Sequence, residues 1–262
     1  MPVGYRGAIF DIDGVLVDSP HERAWRETLQ LLMETDWHGV QPRTTYTPER
    51  FTPAVYQEVV AGKPRLSGAR AALDYFGVPD AERRAEEYAE RKQQQVVELI
   101  EAGKFLAFPD ALRFLLAVKD LGIRVAAASS SKNAGLFLRQ IRLDEFAAEQ
   151  SLHYDFLEFG LTLQSVFDAD VTGRDFEQGK PHPMIFLTAA EELGVAPQEC
   201  FVVEDATSGV RAAKAGDMAA LGVARLDDEE LLRRADADLV VTTLDDVDLD
   251  ALAEGRLEQR SR

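Results

Sequence analysis

The sequence predicts an α/β protein in which a doubly wound, mostly parallel sheet is interrupted after its first strand by an all-helical insertion. Three observations predict this fold. A short apolar run, Ala8–Phe10, ends in acidic residues and a glycine. From residue 21 to about 103 the apolar spacing is helical, with no convincing strand. From about residue 106 onward, short apolar runs alternate with amphipathic segments of helical length, which is typical of parallel strands joined by helices.

Two acidic residues follow the first predicted strand. Asp11 and Asp13 lie two positions apart, and Gly14 lets the chain turn after them. In extended backbone both carboxylates point to the same side, where their like charges repel. A divalent cation removes this repulsion, and oxygen ligands of this kind suit Mg²⁺. The pair alone is equally compatible with an ordinary turn in which Asp11 caps a backbone group.

The insertion is predicted to contain four helices and one long polar loop. The helices are expected at residues 21–34, 51–60, 68–76 and 80–100, and the loop at 35–52. The last helix carries an apolar stripe on one face. The stripe consists of Ala81, Ala85, Tyr88, Val96 and Leu99. Lys92 lies on the same stripe, so its side chain either extends past the apolar surface into solvent or points into a cleft between domains.

The second part of the chain is predicted to complete a Rossmann-like sheet. Strands are expected at residues 123–128, 166–171, 200–203, 218–223 and 238–241. Helices are expected at 111–121, 133–141, 181–193, 208–215 and 228–235, while 142–164 are ambiguous. Residues 1–18 and 106–262 therefore form one predicted domain and residues 19–105 another. Hinges are expected near Asp18–Pro20 and Lys104–Pro109.

Composition excludes several classes of partner. Hydrophobic residues make up 46% of the chain, which is enough for a sizeable core, and the formal net charge is −17. Such an acidic chain is a poor partner for nucleic acid or an anionic membrane. No apolar run approaches the ~20 residues of a membrane span, and no secretory leader is visible. Cys200 is the only cysteine and suits a small core position, so a cytoplasmic location is expected.

Polar residues follow several of the predicted strands. In open α/β sheets, ligands bind beyond the carboxyl ends of the strands. The candidate groups are Asp11 with Asp13, Ser129-Ser130-Ser131-Lys132-Asn133, Gly179-Lys180-Pro181 and Glu204-Asp205. Each group alone has an ordinary explanation as a helix cap, a solvated lysine or a loop. Their occurrence in this order, on this alternation of strands and helices, indicates one shared site.

These groups resemble the motifs of the haloacid dehalogenase superfamily, and the segment Asp-Ile-Asp-Gly-Val-Leu-Val-Asp-Ser at residues 11–19 resembles its nucleophile motif. The resemblance implies that Asp11 is a nucleophile that forms an aspartyl phosphate and that Asp13 is the general acid/base. Ser129 would then bond the transferring phosphoryl group, and Lys180 would offset its charge. The implied Mg²⁺ site consists of Asp11, Asp13, Asp205 and Glu204. Glu204 would either bind the ion itself or support a residue that binds it.

Four segments extend the resemblance to the β-phosphoglucomutase branch. They are residues 129–133, Ala89-Glu90-Arg91-Lys92, Gly62-Lys63-Pro64-Arg65 and His21-Glu22-Arg23-Ala24-Trp25. The substrate-binding residues implied are His21, Arg65, Lys92, Ser131, Lys132 and Asn133. Among them, Arg65, Lys132 and Asn133 would contact the non-reacting phosphate, while His21 and Lys92 would tune Asp13. Arg65 and His21 also have ordinary interpretations, as an exposed arginine and as a first-turn helix residue.

Two segments depart from the mutase pattern. Asp18-Ser19-Pro20-His21 is shorter than the mutase hinge, so His21 need not reach the same place. Residues 142–178 are longer and rich in aromatic and acidic residues. This insertion could cover the sheet edge, alter substrate access or make a dimer contact.

The predicted function is Mg²⁺-dependent phosphoryl transfer on a small phosphorylated sugar. If water accepts the phosphoryl group from Asp11, the protein is a sugar-phosphate phosphatase, which is the leading prediction because the hinge is shorter. If a sugar phosphate accepts it, the protein is a phosphomutase, which the residues for a second phosphate favour. A phosphorylated receiver or a sugar-phosphate sensor is a remote alternative, since a receiver would not carry the long helical insertion. The sequence carries no signal for a particular sugar or for an oligomeric state.

Overall fold

The computed structural model describes residues 4–60 and 63–260 and contains two β-sheets. The strands are β1 (Gly7–Phe10), β2 (Val17–Asp18), β3 (Leu106–Ala107), β4 (Arg124–Ala127), β5 (Ala169–Asp170), β6 (Cys200–Glu204), β7 (Ala219–Val223) and β8 (Leu239–Val241). The larger sheet has six strands in the order β5-β4-β1-β6-β7-β8. Its neighbouring strands all pair in parallel, so the predicted fold class is confirmed.

The register of the sheet brings three chain segments together. Phe10 at the end of β1 pairs with Ala127 of β4 on one side and with Val203 of β6 on the other. Because the strands are parallel, the residues that follow them emerge at the same edge. The apolar runs predicted these strands well, because buried parallel strands are hydrophobic on both faces.

Helices join the strands of the larger sheet and also make up most of the insertion. They are α1 (His21–Glu34), α2 (Pro53–Val55), α3 (Arg65–Tyr75), α4 (Ala81–Glu101), α5 (Pro109–Asp120), α6 (Ala134–Gln140), α7 (Leu143–Glu149), α8 (Leu163–Val166), α9 (Met184–Leu193), α10 (Thr207–Ala215), α11 (Glu229–Arg234) and α12 (Leu249–Ala253). The prediction for α1 is confirmed residue for residue. In the parts of the chain that are described, no helix is both long and apolar enough to cross a bilayer.

Three of the predicted helices differ from the structure by more than two residues at one end or in helix type, and the others by at most two residues. The helix expected from residue 181 begins at Met184, because His182 precedes Pro183 and the residue before a proline disfavours helical backbone. The ring nitrogen Nδ1 of His182 lies 3.3 Å from the Met184 amide, which gives this histidine a structural contact. The helix expected at 51–60 becomes α2 followed by a π-helical turn, Tyr56–Val60, and α3 begins earlier than predicted.

The longer segment at 142–178, whose first part is the ambiguous stretch 142–164, supplies the edge of the larger sheet. It contains α7 and α8, and then β5, which pairs with β4 through Ala126 and Ala169. The ring of Phe167 lies 6.4 Å from that of Phe10 in β1. Of the roles considered for this segment, the structure therefore supports the one at the sheet edge.

The chain divides into two compact units. The first is the chain up to Asp18 together with Leu106 onward, and the second is Ser19–Phe105. In the first unit, β2 and β3 pair antiparallel where the chain leaves for the second unit and returns from it. In the described part of the second unit there are helices and turns but no strand, and Tyr88 Oη donates a 2.7 Å hydrogen bond to the Trp25 carbonyl oxygen. That these units act as catalytic core and cap stays a prediction.

A buried ion pair joins the start of α5 to the loop after β7. Arg225 donates a 2.9 Å hydrogen bond to Asp110 Oδ2, which also accepts from Thr243 Oγ1 and the Leu244 amide. Burial opposes ionisation of Asp110, but these hydrogen bonds and the Arg225 charge outweigh it and lower the pKa of Asp110 below its ordinary value. Ionised Asp110 therefore stabilises the fold.

Asp110→Asn is expected to destabilise the protein by about 3 kcal/mol at neutral pH, because Arg225 would keep a buried charge without a carboxylate partner. The folded-state pKa of Asp110 is depressed, so its contribution is complete above about pH 4 and is lost as pH falls through the folded value. Urea titrations of both proteins at several pH values measure this difference. Glu230→Gln removes an exposed ion pair with Arg234 and should change stability by less than about 0.5 kcal/mol. A wild-type-to-variant difference that stays constant from neutral to strongly acidic pH would contradict the assignment to the Asp110 charge.

Gly7 lies in β1 where the neighbouring strand leaves no room for a side chain. A Cβ at this position would lie 2.6 Å from Cys200 Sγ and 3.4 Å from side-chain atoms of Leu193 and Val195. Gly7→Ala should therefore cost about 1–3 kcal/mol through overpacking. The double variant Gly7→Ala with Cys200→Ala should recover part of this loss. Gly39→Ala, where a Cβ meets nothing within 4 Å, is the matched control. Thermal unfolding of the four proteins tests the prediction, and equal stability of Gly7→Ala and wild type would overturn it.

Candidate active site

Lys180 lies between two buried carboxylates at the carboxyl edge of the larger sheet. Asp11 directly follows β1, Glu204 is the last residue of β6, and Lys180 belongs to the loop that precedes α9. Lys180 Nζ lies 2.6 Å from Asp11 Oδ1 and also donates to Glu204 Oε1. The side chains of Lys180, Asp11 and Glu204 are only 12%, 9% and 1% exposed, so little solvent screens these ion pairs.

The electrostatics of the site show an excess of negative charge. Burial raises the pKa of Asp11 to about 7; the Lys180 charge lowers it, and Glu204 and Asp13 raise it. Burial also raises the pKa of Asp205 well above its ordinary value, with further contributions from Glu204 and Asp11. For Lys180, burial alone would lower the pKa, but both partner carboxylates outweigh it and raise that pKa. A second cation would therefore be stabilised here.

The donor set fits a hard cation such as Mg²⁺. Oδ1 of Asp13 is buried and accepts no hydrogen bond within the described residues. Gly14 brings the chain against Asp205, since a Cβ on Gly14 would lie 1.9 Å from Asp205 Oδ2. Within residues 4–60 and 63–260, however, no three His, Cys, Asp or Glu side chains converge as a preformed ligand set. Oxygen ligands from a few carboxylates, completed by water, are the usual Mg²⁺ arrangement.

Glu204 is held in a different way from the other acids. Its Oε1 accepts from Lys180, and its Oε2 accepts a 3.0 Å hydrogen bond from the Ala206 amide. Both oxygens thus have protein donors. Of the two roles considered for Glu204, this arrangement favours that of a partner which positions Lys180, and leaves Asp11, Asp13 and Asp205 as the candidate ligands.

The loop between β4 and α6 presents the predicted serines beside this cluster. Ala128 donates a 2.8 Å backbone hydrogen bond to the Phe10 carbonyl oxygen, and the buried Ser129 follows it. Ser129 Oγ accepts from the Ser131 amide at 3.1 Å, and Ser131 Oγ accepts from the Asn133 amide at 3.3 Å. These contacts organise the loop before α6, as helix-capping side chains do.

Lys132 and Asn133 differ in their surroundings. Lys132 is exposed, and its Nζ donates to Asp175 Oδ1 at 2.6 Å and to the Gly173 carbonyl oxygen at 2.8 Å. Asn133 is buried. The predicted contact of both residues with a second phosphate stays a prediction, and for Lys132 it would require the Asp175 ion pair to be exchanged for a phosphate.

The predicted substrate residues of the second unit fall into two groups. Lys92 Nζ lies 3.1 Å from His21 Nδ1 and 4.9 Å from the centre of the Trp25 ring. Lys92 is only 5% exposed, so it does not extend into solvent. Arg65 is the exposed first residue of α3, while Gly62 of the same motif lies outside the described residues. Their predicted roles are not tested by these contacts.

A site residue that the sequence motifs did not reveal is Gly209 in α10. A Cβ there would lie 1.8 Å from Glu204 Oε1 and 2.5 Å from Oε2. The helix can therefore pack against the Glu204 carboxylate only because residue 209 has no side chain. The available signal is a glycine inside a helix that begins just after the strand-end acids, a position where glycine otherwise lowers helix stability.

Gly209→Ala is expected to lower activity at least about tenfold, because the added methyl group must displace Glu204 and with it Lys180. Gly135→Ala in α6 is the matched control. Its Cβ would approach only the flexible Arg139 side chain, at 3.2 Å, so activity should stay unchanged. Steady-state activity measurements and circular dichroism of both variants measure the effect. Full activity in a folded Gly209→Ala variant would mean that the position of Glu204 does not matter for catalysis.

Comparisons with known proteins agree with this geometry. A family model described as a haloacid dehalogenase-like hydrolase matches residues 5–217. A β-phosphoglucomutase of Mycobacterium tuberculosis (strain CDC 1551 / Oshkosh) is 34% identical over 263 residues, covering 93% of this chain and 92% of the relative. Hexitol phosphatase A of Escherichia coli (strain K12) is 29% identical over 250 residues, covering 92% and 93%.

A solved structure shows the same fold. The crystal structure of an archaeal β-phosphoglucomutase from Pyrococcus sp. strain ST04 matches with a TM-score of 0.69 and 30% identity, over 95% of this chain and 99% of that one. The family match covers most of the chain, and the 34% identity extends over nearly the full length of both proteins. The chain therefore belongs to the haloacid dehalogenase-like hydrolases, an enzyme family, and within it to the β-phosphoglucomutase-like branch.

Proposed function

We propose that this protein transfers the phosphoryl group of a small phosphorylated sugar through an aspartyl phosphate on Asp11, and that it is a sugar-phosphate phosphatase. The observation that carries the proposal is the buried contact between Lys180 Nζ and Asp11 Oδ1, at 2.6 Å. Lys180 leaves Asp11 Oδ2 as the other carboxylate oxygen for attack on phosphorus. A lysine in this place offsets the charge that a phosphate brings to a site of acidic residues.

The proposed reaction has two steps that use Asp11 and Asp13 in turn. In the first, an Asp11 carboxylate oxygen forms a bond to phosphorus while the bond between phosphorus and the sugar oxygen breaks, and Asp13 gives its proton to that oxygen. In the second, Asp13 takes a proton from water as the water oxygen bonds to phosphorus and the Asp11–phosphorus bond breaks. Ser129 and Lys180 bind the phosphoryl oxygens throughout, which is the electrostatic part of phosphoryl transfer.

Mg²⁺ is the proposed cofactor. Asp11 and Asp205 would hold it with their carboxylates, Asp13 would keep its carboxyl group for proton transfer, and Glu204 would keep Lys180 in place. The bound ion would supply positive charge that neutralises phosphoryl oxygens. The raised pKa of Asp205 supports a cation at this position.

The ion pair between Lys132 and Asp175 favours hydrolysis over transfer to a second sugar phosphate. This ion pair offsets the charge that a second phosphate would otherwise meet. The hinge before α1 is also shorter than in mutases, and Hexitol phosphatase A is a full-length relative. Both support release of the phosphoryl group to water.

A phosphomutase of the β-phosphoglucomutase type is the second candidate. The observation that favours it is the His21–Lys92 contact in the second unit, at 3.1 Å. The family resemblance assigns this pair to control of the acid/base aspartate. The relative from M. tuberculosis and the Pyrococcus structure also bear the name β-phosphoglucomutase.

Asp11→Asn is expected to abolish turnover, because an amide cannot act as the nucleophile that forms the phosphoenzyme. The amide nearly preserves the shape of the carboxylate, so the variant should fold and still bind the substrate. Release of inorganic phosphate with Mg²⁺ present measures the effect. Activity of Asp11→Asn above that of a mock preparation would contradict the nucleophile assignment.

Phosphorus NMR separates the two candidates. Wild-type protein is incubated with Mg²⁺, β-glucose 1-phosphate and a trace of the 1,6-bisphosphate. Growth of inorganic phosphate is expected for the phosphatase, whereas growth of glucose 6-phosphate would replace it with the mutase. If neither signal grows, a panel of other phosphorylated sugars is tested with Asp11→Asn as the blank.

A further inference from the structure

The general acid/base candidate Asp13 lies in a tight turn directly after β1. Inside the turn, the Gly14 amide donates to the Val17 carbonyl oxygen, and the amides of Leu16 and Val17 donate to the Ile12 carbonyl oxygen. This turn is short and rich in backbone hydrogen bonds. The direction of the Asp13 side chain therefore depends on where the turn as a whole is held.

Among the described residues, no donor fixes one of the carboxylate oxygens of Asp13. This oxygen is the buried Oδ1. Asp11 is different, because Lys180 fixes it through an ion pair. A carboxylate that must give and take protons, but lacks a side-chain anchor, has to be oriented by the backbone that carries it.

Hydrogen bonds from other segments of the first unit help to hold this turn. The Phe108 amide donates a 2.9 Å hydrogen bond to the Leu16 carbonyl oxygen. Arg225, from the loop after β7, donates through Nη2 to the Val15 carbonyl oxygen at 3.2 Å. Val15 lies two residues from Asp13, so Arg225 bonds the turn close to the acid/base candidate.

Arg225 is itself held by Asp110 and by the ring of Phe108. Its Nη1 bonds Asp110 Oδ2 at 2.9 Å, and its guanidinium carbon lies 4.1 Å from the centre of the Phe108 ring. Asp110 is held in turn by Thr243 Oγ1 and the Leu244 amide. The side chain of Arg225 is only 15% exposed. A planar guanidinium with these partners can hold the Val15 carbonyl oxygen in one place, which a flexible lysine could not.

We propose that Arg225 is a positioning residue for the acid/base step: it fixes the Asp13 turn through the Val15 carbonyl oxygen and so aims the Asp13 carboxyl group at the departing oxygen. The inference rests on the proposed function, in which Asp13 protonates that oxygen. If so, loss of Arg225 lowers kcat/KM strongly for a substrate whose leaving group must be protonated. It lowers kcat/KM only slightly for a substrate whose leaving group departs without a proton.

Two aryl phosphates that differ in how much their leaving groups need a proton test this prediction, and neither requires the natural sugar to be known. The phenol of phenyl phosphate is a basic leaving group that requires a proton as the bond to phosphorus breaks. The 4-nitrophenol of 4-nitrophenyl phosphate leaves as a stable anion and hardly requires one. With Mg²⁺ present, kcat/KM for release of each phenol reports the steps up to formation of the phosphoenzyme, so the common hydrolysis of that intermediate does not enter.

Arg225→Met is expected to lower kcat/KM for phenyl phosphate ~100-fold and for 4-nitrophenyl phosphate less than ~5-fold, since misplacing an acid removes most of its contribution. Asp13→Asn is the reference and should show the same selective loss. Arg124→Met is the matched control, because Arg124 also donates to a carbonyl oxygen, that of Leu193, but at the opposite end of the sheet. It should leave both rates unchanged.

The outcomes separate the inference from the function on which it rests. Selective loss in Asp13→Asn together with equal or no loss on the two substrates in Arg225→Met overturns the inference and leaves the proposed function standing. No selectivity in Asp13→Asn, or no release of either phenol by the wild type, contradicts the proposed function itself and the inference with it. If Arg225→Met does not fold, Arg225→Lys replaces it, with the same selective loss expected on a smaller scale.

Discussion

The ammonium group of Lys180 between Asp11 and Glu204 is the interaction on which the rest of the site depends. Asp11 and Glu204 are buried at the ends of neighbouring strands, where two carboxylates without a cation would repel and be poorly solvated. Lys180 offsets both at once, although it comes from a separate loop before α9. Strands β1 and β6 can therefore end side by side in acidic residues, as the proposed phosphate and metal site requires.

The surrounding backbone is shaped to leave room for these carboxylates. Gly14 lies against Asp205 and Gly209 against Glu204, at distances that no side chain could occupy. The sheet register sets Ser129 beside Asp11, since Ala128 bonds the Phe10 carbonyl oxygen. Charge, register and small residues thus act together, and a change in any one of them would move the others.

Sequence patterns predicted the parts of this arrangement that depend on local order along the chain. Buried strands appear as apolar runs, and the acids at their ends follow directly, so the fold and the cluster around Asp11 could be inferred. Contacts between distant segments leave no such signal. The Asp175 partner of Lys132 and the antiparallel pair β2–β3 depend on residues far apart in sequence. Gly209 lies close to Glu204 in sequence, and its only signal is a glycine inside a helix. The start of α9 differs from the prediction for a local reason, because Pro183 disfavours helical backbone at His182.

Asp11 and Asp13 are held in two different ways, which suit the two tasks proposed for them. A nucleophile works as an anion, and an ion pair with Lys180 favours that form while it fixes the oxygen that must attack. An acid/base group must change its protonation state within each turnover, and a cation bonded to it would oppose uptake of the proton. If Asp13 were anchored as Asp11 is, it would be well placed but a poor acid. Holding the backbone of its turn, through Val15 and Leu16, positions the carboxyl group and leaves its proton free to move. In this arrangement the backbone sets the position of the acid, and its side chain remains free to exchange the proton. A residue such as Arg225, which bonds only the backbone, can therefore affect catalysis without contact with the substrate.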